Sequence, residues 1–250
     1  LGITTAFFAI QLGADPIIVG GTKEQKQKWL GKIAAGEALV AYAVTEPDAG
    51  SNVASIKTKA EPVLNDAGEI SGYKINGAKQ FISTGGYAEF ITLLANTPEG
   101  ATFFIVEKDT EGYICGKGEE KHGIRASNTS PLTFTDAFVP VENIIGGVTG
   151  QGLKQASKVF GYTRLMVASM ALGGGESALD IVIPYAKERI QFKTPLSEKQ
   201  GYTHKLVVPH AVRLAAAANY IDEVAARLDA REHDLEVEGS IAKLFATETA

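Results

Sequence analysis

The spacing of hydrophobic positions changes twice along the 250 residues. Up to about Gly36, Glu24-Gln25-Lys26-Gln27-Lys28-Trp29-Leu30 leads to Ile33 and Ala34 with apolar residues three and four apart, which predicts a helix with one buried face. Thr22 is placed to cap it and Gly36 to stop it. From Glu37 to Gly147 the pattern breaks into short runs rich in Val, Ile, Thr, Phe and Tyr, predicting strands at 39–45, 54–61, 70–75, 79–83, 90–95, 102–107 and 131–134. Gly-containing turns separate them, and Asn76-Gly77 between two runs predicts a two-residue hairpin. Strands spaced in this way, without helices between them, predict an antiparallel barrel or sandwich. From about Gly150 the helical spacing returns in one long segment, 152–192, a second from Tyr202 to about Arg231, and a third beginning near Gly239. Gly173-Gly174-Gly175 weakens the first of these by roughly 1 kcal/mol per residue against Ala, which suggests close approach of another helix or a ligand. Pro184 and Pro209 are each expected to kink their helices.

Composition narrows the class. Hydrophobic residues at 45% and charged residues at 21% describe a globular chain rather than a disordered one. A net charge of -5 argues against nucleic acid as a partner. Read along the chain, no apolar run reaches membrane-span length. Cys115 alone allows no internal disulfide and fits a reducing compartment. The first residues carry no initiator Met or signal-like segment, and 241–250 is helical in pattern with no stop signal, so both ends read as cuts through helices.

Most generic motifs are missing. His122, His204, His210 and His233 have no metal-ligand spacing with each other or with Cys115, and no metal is expected. Gly20-Gly21-Thr22-Lys23 inverts the Lys-Thr order of a phosphate loop. One segment stands apart, Ala41-Tyr42-Ala43-Val44-Thr45-Glu46-Pro47-Asp48-Ala49-Gly50-Ser51. A strand here runs into hydroxyls and a small-residue turn whose amides could bind a heteroaromatic ring or a phosphate.

Thr45-Glu46-Pro47-Asp48-Ala49-Gly50-Ser51 resembles the signature of the acyl-CoA dehydrogenase family. Further segments follow in family order. They are Ile75-Asn76-Gly77-Ala78-Lys79-Gln80-Phe81-Ile82-Ser83, Phe104-Ile105-Val106-Glu107-Lys108, Gly123-Ile124-Arg125-Ala126-Ser127-Asn128-Thr129, Val139-Pro140-Val141-Glu142-Asn143 with Gly150-Gln151-Gly152, Thr163-Arg164, and Tyr185-Ala186-Lys187-Glu188-Arg189-Ile190-Gln191-Phe192 with Gln200. The resemblance spans nearly the whole chain. It implies an α+β multidomain fold: a remnant of an N-terminal helical domain (1–36), a middle antiparallel β-barrel (37–147) and a partial C-terminal four-helix bundle (148–250), with helices missing at both ends.

The implied activity is FAD-dependent α,β-dehydrogenation of an acyl-CoA thioester, with electrons passed to an electron-transfer flavoprotein. The resemblance places Tyr42, Val44, Thr45, Gly50 and Ser51 along the flavin, Ser51 also towards CoA, and Phe81, Ile82 and Ser83 beside the isoalloxazine ring. The family usually has Thr at Ser83, Asp at Asn52 and Gly at Lys193. Arg189, Gln191 and Phe192 resemble the segment that reaches FAD of a neighbouring subunit in a homotetramer, and Lys199 and Gln200 the adenosine-side contact. An Arg fork suits a pyrophosphate. Gly161, Tyr162, Thr163 and Arg164 resemble the acyl-CoA segment at the start of a bundle helix.

Some family members carry the base at the position of Thr163, whose hydroxyl is too weakly basic to take an α-proton at neutral pH. Members with Thr here carry a Glu far downstream, so the catalytic carboxylate is expected beyond Ala250, with Arg164 beside it. Glu176 and Glu188 read as structural or solvated. An acyl-CoA oxidase, a desulfinase or a non-catalytic flavin or acyl-CoA binding protein would share the flavin motifs. A bacterial cytoplasm and a mitochondrial matrix both suit the chain.

Overall fold

The structure, a computed structural model, describes residues 2–232 and 235–250. It divides into two compact units, Leu1–Val159 and Phe160–Ala250. His233 lies outside the described residues.

The first unit opens with helix α1 (Gly2–Gly20), then the turns α2 (Lys23–Gln25) and α3 (Gly31–Ala34) joined through a π-helical turn, Lys26–Leu30. Thr22 caps α2 as its sequence position predicts: its hydroxyl accepts from the Gln25 amide, and the Gln25 side chain accepts from the Thr22 amide. The same Gln25 side chain reaches the turn after the last barrel strand, donating to the carbonyls of Glu142 (2.9 Å) and Ile144 (2.6 Å) and accepting from the Gly146 amide. One amide therefore staples the N-terminal helices to the exit of the β-domain. Gly36 stops α3 in a left-handed conformation (φ 73°), as expected.

Seven strands follow: β1 (Val40–Ala43), β2 (Lys59–Leu64), β3 (Ile70–Ser83), β4 (Phe90–Thr97), β5 (Gly100–Glu107), β6 (Tyr113–Cys115) and β7 (Thr129–Pro140). They form one curled sheet in the order β1-β4-β2-β3-β7-β6, with β5 added against β4. The β-domain expected from the strand spacing is present, and its sheet is mixed: β1 runs parallel to β4, as does the first residue of β2, while the other pairs are antiparallel. The core is built from alternate residues of these strands, among them Ile75, Ile82, Leu93, Phe104, Val106, Leu132 and Val139.

Asn76-Gly77 is not a hairpin turn. β3 runs through it, and the register against β7 shifts there, giving a bulge. Asn76 exchanges two hydrogen bonds with Asp136 across the strands (3.0 and 2.9 Å), and a Cβ at Gly77 would lie 2.6 Å from the Thr58 hydroxyl. Glycine is needed for close approach, and the local signal of a turn is the same.

Among the described residues two helices, α1 and α4 (Gly152–Glu188), each hold a stretch long and apolar enough by length and composition to cross a membrane. They pass although polar residues interrupt every apolar run, because an average over a stretch absorbs isolated polar residues. Core helices pass the same test, and α1 packs as one. A Cβ on its Gly13 would meet the Val40 backbone at 2.9 Å, its Gly13 carbonyl accepts from Thr92 of β4, and Asp15 and Ile17 are fully buried.

The boundary between the units falls within α4. The second unit continues with a small hairpin, β8 (Ile190–Gln191) and β9 (Thr194–Pro195), a short turn α5 (Gln200–Tyr202), and helices α6 (Val208–Asp229) and α7 (Glu236–Thr249). Leu165 and Ala168 of α4 pack with Ala217, Ile221 and Val224 of α6 and with Ala242 and Ala246 of α7. α4 runs through Pro184, whereas a π-helical turn, Thr203–Val207, leads without a break into α6, so the helical winding changes just ahead of Pro209. Of the three glycines at 173–175, only Gly175 serves close approach, its Cβ position lying 2.7 Å from Leu214.

Candidate functional site

β1 delivers the chain into residues 44–51, and a buried ion pair holds that segment. Glu46 and Ala49 exchange backbone hydrogen bonds (2.8 and 3.2 Å), closing a tight turn across Pro47 and Asp48. The Glu46 side chain turns inward, where it accepts from the amides of Lys57 (2.6 Å) and Thr58 (3.0 Å) and from Lys79 Nζ (2.7 Å). Lys79, on β3, is fully buried and also donates to the Val44 carbonyl at 3.1 Å. The next residue, Gln80, donates its amide to the Thr45 carbonyl at 2.9 Å. β3 thus grips Val44, Thr45 and Glu46 in succession.

Burial pulls the Lys79 ammonium down to about 8, against the opposing pull of the Glu46 carboxylate. Burial by itself would raise the Glu46 carboxyl, but the hydrogen bonds from Lys79 and the amides at 57 and 58 outweigh it and hold the group below its usual 4.5. A carboxyl depressed in the folded state contributes stability that is fully present above the unfolded value and is lost as pH falls through the folded one. Urea unfolding followed as a function of pH is therefore expected to show a steeper loss of stability in the wild type below pH 4.5 than in Glu46→Gln. Equal slopes would remove Glu46 as the source.

Beyond Lys79, β3 bulges: Lys79 pairs with Leu132 and Ile82 with Ser130, so Gln80 and Phe81 oppose Pro131 alone. The bulge sets Phe81 at φ 58° and turns its ring outward, 63% exposed. Ile82 points into the barrel core, leaving only its backbone for a ligand, and Ser83 is half-buried. On the facing segment Tyr42 and Thr45 are half-buried, Val44 is buried, and Gly50 and Ser51 are exposed. Burial, aided by the Asp15 carboxylate, pushes the Tyr42 phenol up. Among the described residues the hydroxyls of Thr45, Ser51 and Ser83 make no intramolecular hydrogen bond, and the Cβ position of Gly50 faces open space. Free hydroxyls, an open glycine backbone and an outward aromatic ring fit a flat, hydrogen-bonding heterocycle.

In the second unit Gly161, Tyr162, Thr163 and Arg164 lie well inside α4 rather than at its start, because the helix begins at Gly152. Thr163 is buried, and Arg164 is half-buried with its guanidinium 6.0 Å from the Phe160 ring. A Cβ on Gly239 of α7 would lie 2.5 Å from the Gly161 carbonyl, so two helix backbones meet here. Glu176 and Glu188 are exposed. Arg189 is exposed at the base of the β8–β9 hairpin, Gln191 is half-buried, Phe192 at the tip is 90% exposed, and Gln200 is exposed at the start of α5. Lys199 donates to the Thr194 hydroxyl at 2.7 Å.

Two family descriptions match the chain: "Acyl-CoA dehydrogenase, middle domain" over residues 41–137 and "Acyl-CoA dehydrogenase, C-terminal domain" over residues 150–250. The chain belongs to the acyl-CoA dehydrogenase family. It is 39% identical over 244 residues to an acyl-CoA dehydrogenase of Bacillus subtilis, covering 96% of this chain and 62% of the relative. Butyryl-CoA dehydrogenase from Megasphaera elsdenii superposes with a TM-score of 0.91 at 36% identity, over 100% of this chain and 64% of that one. A structure described as the electron transferring flavoprotein of Acidaminococcus fermentans contains a chain with a TM-score of 0.91 at 34% identity, over 100% of this chain and 65% of that one. The chain thus spans less than two thirds of the length of these relatives.

The departures from the family signature now have a geometry. Asn52 does not use its side chain as a cap; its carbonyl accepts from the amide and hydroxyl of Ser55. Lys193, where the resemblance leads one to expect Gly, stands in a tight turn. Phe192 and Lys193 both have positive φ (50° and 67°) in a two-residue hairpin loop, a conformation that favours glycine. Lys193→Gly is therefore expected to raise stability by about 0.5–1 kcal/mol, relief of the left-handed strain outweighing the chain entropy of Gly. Thermal melting measures this, and an unchanged or lower Tm would mean that Lys193 bears no strain.

Glu46, Lys79 and Asn128 stand within the sequence motifs, which assign none of them a role. Asn128 accepts the Gly86 amide on its side chain (2.8 Å) and the Thr84 amide on its carbonyl (2.9 Å), fixing the loop that follows Ser83. For Lys79 a signal existed: it shares the inward parity of Tyr73, Ile75 and Gly77 on β3.

Proposed function

We propose that the protein carrying this chain is an FAD-dependent acyl-CoA dehydrogenase that removes the α-proton and the β-hydride of an acyl thioester and passes the electrons to an electron-transfer flavoprotein. The observation that carries this reading is the set of unpartnered hydroxyls on the signature turn and strand, Thr45, Ser51 and Ser83, beside the outward ring of Phe81. The chemistry supplied by FAD, when bound, is acceptance of the hydride at N5. Tyr42, Val44, Thr45, Gly50 and Ser51 line one side of the flavin, Ser51 also facing CoA. Phe81 and Ser83 border its ring with their side chains and Ile82 with its backbone.

Gly161, Tyr162, Thr163 and Arg164 hold the acyl-CoA. The buried Thr163 hydroxyl serves as a neutral positioning group, since it cannot act as the base. The base is a carboxylate outside residues 1–250, with the Arg164 cation favouring its charged form. Arg189, Gln191, Phe192 and Gln200 contact FAD of a neighbouring subunit in a homotetramer. The 90% exposure of Phe192 at a hairpin tip supports that assignment, because a large apolar ring so placed lacks a covering surface. Domain limits at 1–36, 37–147 and 148–250, and a bacterial cytoplasm or mitochondrial matrix, complete the reading.

Anaerobic mixing of the full-length, flavin-loaded protein with a saturated acyl-CoA tests it. Bleaching of the flavin absorption is expected. Bound flavin that stays oxidised with every chain length would refute dehydrogenation and leave a binding role. Rapid recolouring in oxygen without an added acceptor would instead favour an oxidase.

A further inference from the structure

The buried charges of Glu46 and Lys79 serve no step of the proposed reaction, and stability alone accounts poorly for them. A buried ion pair loses hydration on both partners, and replacing such a pair with well-matched neutral groups is often neutral or stabilising. What the pair does uniquely is join two separate segments. Lys79 sits on β3, two residues before Phe81 and four before Ser83; Glu46 sits in the turn 45–51. The ammonium bridges the Glu46 carboxylate (2.7 Å) and the Val44 carbonyl (3.1 Å), so one side chain sets both ends of the tripeptide Val44–Glu46 relative to the strand. Glu46 in turn collects the amides of Lys57 and Thr58, drawing the far side of the loop into the same knot.

The backbone bond from Gln80 to Thr45 lies between these contacts, and the bulge that exposes Phe81 begins at Lys79 itself. Side-chain exposure follows the same division. Glu46 and Lys79 are shielded while Thr45, Gly50, Ser51 and Phe81 remain accessible, so the pair supports the candidate ligand surface from beneath.

We propose that the Lys79–Glu46 pair consists of positioning residues that lock the turn 45–51 against the 81–83 end of β3, presenting both walls of the flavin site in their receptive arrangement before the cofactor arrives. The proposal rests on the reading of this surface as a flavin site. Neither residue touches the cofactor; each acts through the groups it holds. Preorganisation of this kind lowers the ordering cost of binding, so its loss appears in affinity and in the asymmetry of the bound chromophore.

The double variant Glu46→Gln/Lys79→Met tests this in the full-length protein, because it leaves no unpaired buried charge yet abolishes the bridge to Val44. Flavin is removed, the melting temperature of the apoprotein is recorded, and FAD is titrated back by fluorescence quenching. The apoprotein is expected to melt within about 5 °C of the wild type. Its FAD dissociation constant is expected to rise about tenfold or more. The visible circular dichroism of the bound flavin should differ from the wild type even at saturating FAD, an effect that weakened folding alone would not produce. A double variant that folds and binds FAD with wild-type affinity and dichroism overturns the proposal, and one that fails to fold overturns it too, by making the pair a determinant of the fold itself. If wild-type protein takes up no FAD, the functional reading fails, and this outcome is told apart from the others by the wild-type titration alone.

Discussion

Lys79→Ala is expected to lower the free energy of unfolding by about 3–5 kcal/mol, the usual cost of removing one partner from a buried pair. The Glu46 carboxylate would remain shielded from solvent with two amide donors but no counter-charge, and the Val44 carbonyl would lose its donor. The contrast within the same loop is instructive. Lys57 and Asp48 also lie 2.7 Å apart, but their side chains are 73% and 67% exposed, so solvent screens the pair and Lys57→Ala should leave stability nearly unchanged. Urea unfolding of the two variants side by side measures the difference. Comparable small losses would show that water reaches Glu46 in solution and that burial is not what makes the pair matter.

That the two pairs look alike in sequence marks how far sequence reading reaches here. The helix–strand–helix order was legible because each zone has its own hydrophobic period, and the cap at Thr22 because its partner, Gln25, stands three residues away. Each of these is a local signal. Asn76-Gly77 misled for the same reason: glycine admits both a tight turn and a bulge with close backbone approach, and only the position of Thr58 and Asp136 decides between them. The parallel pairing of β1 with β4 was not legible, since both are nearly continuous buried runs, which mark a strand covered on both faces without fixing its direction or partner. Averaged hydropathy misleads where interrupted runs do not: α1 holds Asp15 in its buried face and still passes as a span.

The candidate site divides along the same line. Thr45, Gly50, Ser51, Phe81 and Ser83 were identified because a family motif travels with them in short contiguous blocks. The partnership of Glu46 with Lys79 joins positions 33 apart, and that of Asn128 with Gly86 joins positions 42 apart. The parity of Lys79 announced a buried cation without naming its counter-charge. Motifs thus nominate the groups that face the proposed ligand, whereas the groups that hold them in place are read only from the fold.

The crossing of α4 and α7 brings such a hidden constraint to the proposed acyl-CoA segment. Gly239 is buried, and a Cβ there would stand 2.5 Å from the Gly161 carbonyl oxygen, a backbone atom that can yield only if a whole helix moves. Two effects compete in Gly239→Ala. Helix propensity favours Ala by about 1 kcal/mol, while overpacking of a close contact costs about 1–3 kcal/mol. Contact with backbone places this site at the costly end, so Ala should destabilise by about 1–2 kcal/mol net. Val adds bulk and gains less propensity, and its loss should reach about 3 kcal/mol. Since Gly161 and Arg164 are the residues displaced, the folded fraction of the Val variant should also bind acyl-CoA more weakly, raising KM more than it lowers kcat. Far-UV circular dichroism in urea gives the stabilities and acyl-CoA titration the binding. A more stable Gly239→Ala would mean that the helices part at no cost, and the glycine would then need another explanation.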